Sequence, residues 1–245
     1  MTQSLMRALL GAALLLGVSA APAHAAGNDI DLSGIATQGQ FDALMEEVGV
    51  AIAYNPLAPA EPEGLLGFQL GVSLTTVKID STLWDLAVAD SAAPSDLLVP
   101  RLHARKGLPF GIDIAASYLA VPSTNITVIG GELRKAVLKG GAATPAVGIT
   151  LHGSKLTGVD ALDASTYGIG AGVSKGFLMF TPYAGVDQIW FSGSENVTGI
   201  TLADAEDSFL RTHVGVKFSL ALINFTAQAD FGPANTYSLR ANIGL

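Results

Sequence analysis

The stretch Tyr167-Gly168-Ile169-Gly170-Ala171-Gly172-Val173-Ser174 puts every larger side chain on odd positions and only glycine or serine on even ones. A period of two is that of a β-strand, whose successive residues point to opposite faces. The glycines do not form a phosphate loop, because the spacing G-x-x-x-x-G-K-[ST] is absent. They read instead as space left on one face for a neighbouring side chain or a segment of chain.

The same rhythm runs outward in both directions. Phe68, Leu70, Val72 and Leu74 alternate with Gln69, Gly71, Ser73 and Thr75, and Phe110, Ile112, Ile114, Ala116 and Tyr118 with small or polar partners. Val147, Ile149 and Leu151 follow it, then Val214, Val216, Phe218 and Leu220, then Phe225, Ala227, Ala229 and Phe231. Tyr237, Leu239, Ala241, Ile243 and Leu245 close the series. Ten strands are expected at about 65–77, 98–105, 110–121, 125–137, 145–154, 165–174, 178–191, 209–220, 224–231 and 236–245. Short turns are expected at Lys106-Gly107, Lys139-Gly140-Gly141 and Lys175-Gly176, with longer loops at 78–97, 155–164 and 192–208.

Composition narrows the class. Only 14% of the 245 residues are charged, 49% are hydrophobic, and the net charge is −8. A soluble domain ordinarily carries about 25–35% charged residues on its surface. After the first residues there is also no apolar run of about 18 residues that could span a bilayer as a helix. Residues 1–25 read as a secretory signal peptide: Arg7, the apolar run Ala8 to Val18, and the small-residue site Ala21-Pro22-Ala23-His24-Ala25. The absence of cysteine excludes a lipoprotein anchor and a disulfide scaffold.

Strands of about 9–11 residues, short turns on one side, long loops on the other and aromatic residues near strand ends fit a membrane barrel. The aromatics are Phe110, Tyr118, Phe177, Trp190, Phe218, Phe225 and Phe231. Over residues 65–245 the chain resembles Gram-negative outer-membrane β-barrel proteins as a superfamily. The resemblance implies an all-β, antiparallel, up-and-down transmembrane barrel of about ten strands in the cell outer membrane. Its implied partners are outer-membrane lipid and lipopolysaccharide, and the barrel-assembly machinery.

Residues 26–64 break the rhythm. Phe41, Leu44, Met45 and Val48 fall at i, i+3, i+4 and i+7, opposite Asp42, Glu46 and Glu47, which is the pattern of a short amphipathic helix. Val50, Ile52 and Tyr54 suggest an extended piece before the loop 56–62. The segment is expected to be a plug in the lumen or a periplasmic lid, or else to add strands and bring the barrel to twelve. A second helical stretch is expected at 83–88, with Trp84 capping the barrel or dipping into the outer leaflet.

The lumen face is expected to carry Arg101, His103, Arg105, Arg211, His213, Lys217 and Arg240, with Asp113, Asp187 and Asp230 as counter-charges. A tight turn near Ala221–Ile223 places His213 opposite Asp230, and hairpin tilt brings Asp113 toward Arg101. Charges in a confined space need partners, since an unpaired buried charge costs several kcal/mol. Salt bridges and a basic constriction for anionic solutes therefore both remain open. Acids crowd the N-terminal third and the long loops, including Asp160, Asp163, Glu195, Asp204, Glu206 and Asp207. They read as solvated faces, or as carboxylates for divalent cations shared with lipopolysaccharide, though no defined calcium loop is present.

Catalysis is not expected. Ser219 is six residues along the strand from His213, roughly 20 Å away, and no G-x-S-x-G elbow exists. No cofactor, no metal and no nucleic-acid partner are expected of this acidic chain. Ten strands leave a narrow bore at most. The expected function is gated passage of a small solute past the N-terminal segment. The alternative is a closed structural or surface-interaction barrel that acts through acidic extracellular loops.

Overall fold

The computed structural model describes residues 30, 32–87, 95–121, 126–197 and 202–244. The signal-peptide reading of residues 1–25, Val88 in the second helical stretch, and Leu245 lie outside them. Strands β1 (Phe68–Lys78), β2 (Asp96–Leu108), β3 (Ile112–Ala120), β4 (Thr127–Lys139) and β5 (Ala146–Thr157) make the first half of the wall. Strands β6 (Leu162–Ser174), β7 (Phe180–Glu195), β8 (Ala205–Leu220), β9 (Ile223–Phe231) and β10 (Thr236–Gly244) make the second. Each strand pairs with its sequence neighbours, and β1 pairs with β10, so ten strands close into an antiparallel barrel.

Closure satisfies the ladder hydrogen bonds within the chain, which is the condition for backbone to cross lipid. Alternation decides which face meets what. On β9, Phe225 and Phe231 are exposed outside while Asn224, Thr226, Gln228 and Asp230 are buried inside. On β6, Tyr167, Ile169 and Val173 face out. Aromatic side chains ring both ends of this apolar belt. Phe110, Phe177, Phe180 and Phe225 lie at one end, and Tyr118, Tyr167, Phe231 and Tyr237 at the other. Tyr167 stacks on Trp190 across β6 and β7, with ring centroids 5.3 Å apart. The architecture is that of an outer-membrane β-barrel, and its apolar outside places the chain in the outer membrane.

Several boundaries differ from the sequence reading. The first short turn is Pro109–Gly111 rather than Lys106-Gly107, which belong to β2. The turn follows Pro109, where the backbone N–H is missing and the ladder stops on its own. The expected long loop at 155–164 shrinks to residues 158–161, because β5 and β6 run on past the aromatic girdle. A bulge between Ala136 and Leu138 explains why β4 shows Val137 and Leu138 both exposed, out of step with its alternation. Among the described residues no strand is added to the ten: residues 50–52, expected to be extended, are the last turn of a helix.

That helix, α1 (Gln38–Ile52), is held at its start by a capping box. Gln40 N–H donates to Thr37 Oγ1 (3.3 Å), and Thr37 N–H to Gln40 Oε1 (3.1 Å). It ends at Ala53, three residues before Pro56, whose ring disfavours helix in the residue before it. A one-turn helix, α2 (Ser81–Trp84), lies in the loop after β1.

Candidate functional site

The bore is filled by the chain itself, in two halves of different chemistry. At the end carrying the longer loops, Phe41, Leu44 and Met45 of α1 are completely buried, and Val48 nearly so. They pack in one apolar cluster with Leu32 and Ile35 and with inward residues of the wall, among them Val77, Leu119, Leu162, Ile189, Phe191 and Phe209. The four helix side chains alone contribute on the order of 10 kcal/mol of burial. Shape matches as well as polarity. Gly193 of β7 stands where any Cβ would run into the Met45 side chain, and Gly49 of α1 faces the Phe191 ring.

Below α1, residues 53–63 run as neither helix nor strand toward the other mouth, with a positive φ at Leu57, and Tyr54, Asn55 and Leu57 are buried. Such a segment leaves its backbone carbonyls without helix or ladder partners, as the last turn of a helix does, and buried carbonyls must be satisfied. Arginines from four strands supply donors to this segment and to the last turn of α1. Arg101 donates to Ala51 O (2.5 Å), Arg211 to Tyr54 O (2.9 Å), and Arg105 and Arg240 to Pro56 O (3.4 Å each). Arg240 also reaches Leu57 O (3.4 Å), and Arg134 donates to Pro59 O. On the donor side, Pro56, Pro59 and Pro62 have no N–H to satisfy. Ala60 N–H donates to Ser174 Oγ (3.1 Å) and Glu63 N–H to Asp113 Oδ1 (3.1 Å).

Two buried carboxylates organise the guanidiniums. Glu132 accepts both Nη atoms of Arg105 (2.7 and 2.8 Å) and lies 3.1 Å from Arg134 Nη2. Asp187 accepts from Arg211 (3.2 Å) and faces His213 Nδ1 at 3.2 Å and His152 Nε2 at 3.4 Å. The glycines of β6 make this possible: a Cβ on Gly168 would collide with the His152 ring, and one on Gly170 with the Asp187 carboxylate. The buried Tyr54 ring stacks on the His152 ring, with centroids 6.1 Å apart.

The remaining expected lumen residues fall as follows. His103 pairs with Ser73 Oγ (2.8 Å). His213 does stand opposite Asp230 in the β8–β9 register, but its ring turns to Asp187. Asp230 instead accepts from Gln228 (2.7 Å), Thr236 (2.8 Å) and Asn55 (3.3 Å), neutral donors that suit a carboxylate with no guanidinium in reach. The expected approach of Asp113 to Arg101 is not made. Asp113 sits opposite Gly107 near the far mouth and is used by Glu63 N–H, while Arg101 points at the end of α1. Lys217 is half-buried near that mouth and takes no part in either carboxylate cluster.

His152 lies on the lumen face, as the alternation of β5 implies, whereas Glu132, Arg134 and Tyr54 were not among the expected site residues. The alternation Gly130-Gly131-Glu132-Leu133-Arg134 contained the signal for two of them, since it puts Glu132 and Arg134 on one face. The spaces left beside the segment are small. One of about 10 Å³ lies between Ala53, Asn55 and Arg101, and one of about 20 Å³ between Pro56, Ala60, Arg134 and Asp187. A single water needs roughly that much.

α1 also holds the outside of the barrel. Gln38 donates to Ala203 O (3.0 Å) and accepts from Ala203 N–H (2.8 Å), fixing the loop between β7 and β8. Glu47 accepts from Asp80 N–H (3.0 Å) and from Trp84 Nε1 (2.6 Å), fixing α2. Trp84 is thus buried against α1 rather than inserted in lipid.

No family model matches the chain, and no curated protein matches it. Among solved structures it is similar to Ail of Yersinia pestis in complex with a heparin analogue, at 9% identity and a TM-score of 0.33, over 73% of this chain and 97% of that one. It is also similar to the outer membrane protein OprG from Pseudomonas aeruginosa, at 10% identity and 0.35, over 76% and 97%. The KdgM porin stands at 8% and 0.34, over 71% and 98%. Likenesses of this strength carry no function across.

Proposed function

We propose that this protein is a closed outer-membrane barrel that acts through its extracellular face, with the bore used as a core rather than as a channel. One observation carries the reading: the helix that fills the bore reaches out of it, through Gln38 and Glu47, to hold two extracellular loops in place. A helix serving only as a stopper needs no such bonds. The loop face it stabilises is acidic, with Asp163, Glu195, Asp204, Glu206 and Asp207 near the rim. Beside it, on the outer wall, a recess of about 220 Å³ is lined by Lys155, Asp163, Ser165, Ser192, Ser194 and Glu206. Lipopolysaccharide is a partner this face fits, through shared divalent cations or through sugar hydroxyls.

The test is single-channel recording of the refolded chain in planar bilayers, beside proteolysis of the extracellular loops. The wild-type protein is expected to be silent. Gln38→Ala with Glu47→Ala is expected to leave it silent while the loops become cleavable. Discrete conductance steps from the wild-type chain would overturn the reading.

Gated passage of a small solute is the second reading, favoured by the lower half. There the wall grips the segment through arginine-to-carbonyl bonds, and withdrawal of the segment exposes five guanidiniums facing Glu132, Asp187, Asp113 and Asp230. It requires that deleting residues 27–63 open an anion-preferring pore. Closed behaviour of the folded truncated barrel removes it.

A further inference from the structure

The two rims of the barrel carry opposite charge on their lipid-facing side. At the end with the short turns, which faces the periplasm, Lys106 and Lys135 project outward from β2 and β4, and Lys175 follows β6, while the bulge in β4 turns Lys139 to the face it shares with buried Ala146. Among the described residues no carboxylate shares that outer face. Glu61 and Glu63 lie inside the mouth, where Glu61 accepts from Gly176 N–H (3.1 Å) and Glu63 from Gln69 Nε2 (2.6 Å). At the opposite rim the bases are Lys78 and Lys155, and the acids dominate.

The lysines are held in place. Lys106 Nζ donates to Leu65 O (2.6 Å) and Gly67 O (3.0 Å), Lys135 Nζ to Phe110 O (2.5 Å), and Lys175 Nζ to Gly141 O and Ala142 O (2.7 Å each). Each bond pins a positive charge against the carbonyls of a periplasmic turn or of the lead-in to β1. An ammonium has three donors, so Lys106 and Lys135 keep at least one for an outside acceptor. The same turns carry large apolar side chains that the chain itself leaves uncovered. Leu66 is 82% exposed, Phe110 81%, and Leu178 fully so at the tip of its turn. These tips continue the apolar belt below its aromatic girdle, so acyl chains and headgroups cover them.

Lys175 gives its third donor to Thr144 O (3.3 Å) and contributes charge alone. We propose that the periplasmic rim is a binding collar for anionic phospholipid, with Lys106 and Lys135 meeting headgroup phosphates while Leu66, Phe110 and Leu178 seat in the acyl boundary. A lysine gains from an anionic surface and not from a zwitterionic one, so the collar selects anionic over zwitterionic lipid. The acidic opposite rim does the reverse. The pair of rims therefore biases orientation as well as binding.

The experiment uses the full chain refolded in phosphatidylcholine vesicles with brominated lipid as the quencher. A Phe177→Trp reporter in a Trp84→Phe, Trp190→Phe background reads the periplasmic rim, and the Trp84→Phe chain, which keeps Trp190 alone, reads the extracellular girdle. Brominated phosphatidylglycerol is expected to outcompete brominated phosphatidylcholine roughly threefold to tenfold at the reporter and not at Trp190. The preference should collapse in 0.5 M salt. Replacing Lys106 and Lys135 by Gln should abolish it, and replacing them by Arg should keep it. If the Gln variant does not fold, the wild-type salt dependence and the Arg variant still decide. No preference at the reporter, or one that survives high salt, overturns the proposal.

Discussion

The two halves of the bore solve one problem in opposite ways. Toward the extracellular mouth the filling is a helix, which satisfies its own backbone, so the wall opposite it is apolar: Val77, Leu119, Leu162, Ile189 and Phe209. Toward the periplasm the filling is irregular and proline-rich, and the wall opposite it is lined with arginines aimed at its carbonyls. The wall follows the hydrogen-bonding needs of what it encloses. The difference teaches that polar residues inside a barrel do not by themselves mark an aqueous path.

The comparison can be broken most sharply from the apolar side. Leu44→Asp places an unpaired carboxylate among side chains that are fully buried, and should cost about 5 kcal/mol or more. The expected outcome is loss of the heat-resistant gel band of the folded barrel; near-normal urea resistance would mean that the upper half is not a packed core. In the lower half, Glu132→Gln leaves Arg105 and Arg134 without their shared carboxylate and should cost about 3–5 kcal/mol. The double change Glu132→Gln with Arg105→Met should recover part of that loss in the same unfolding curves. If the single and double variants unfold together, the cluster is not coupled.

Smaller effects sharpen the picture. Gly193→Val drives a side chain into Met45 and should destabilise by about 1–3 kcal/mol, with relief when Met45→Ala is added. Trp84→Phe removes the bond to Glu47 and should cost about 1–2 kcal/mol. That loss should be read as faster proteolysis in residues 79–95 with little change in barrel unfolding.

The wall was legible in the sequence because its signal is local: period two is set by neighbours, and Phe225-Thr226-Ala227-Gln228-Ala229-Asp230-Phe231 needs no tertiary knowledge to be assigned faces. The register of β8 on β9 followed from a tight turn and placed His213 opposite Asp230 as expected. What the side chains then do was not legible. The choice of His213 for Asp187 depends on the neighbouring strand on its other side, β7, and on the gap left there by Gly185, where a Cβ would meet the His213 ring. Arg134 and Arg101 find their partners on the backbone of residues 51–59, and a backbone carbonyl leaves no trace in composition. The helix end was misplaced because Val50, Ile52 and Tyr54 mimic strand alternation, while the stop that decides it is Pro56. Its start was written in Thr37 and Gln40, a capping box that a search for apolar spacing alone passes over.

Leu32 and Gly34 lie against the apolar cluster and Leu86 at the extracellular mouth, and Glu63 reaches Asp113 at the periplasmic one. The chain therefore traverses the ring before it contributes a single strand to it. The seam that closes the ring, from Gln69 opposite Gly244 to Val77 opposite Thr236, joins the strand that follows this segment to the last strand of the wall. Wall and filling therefore come as one covalent unit, one filling to every ring, held at an effective concentration that a separate plug would not have.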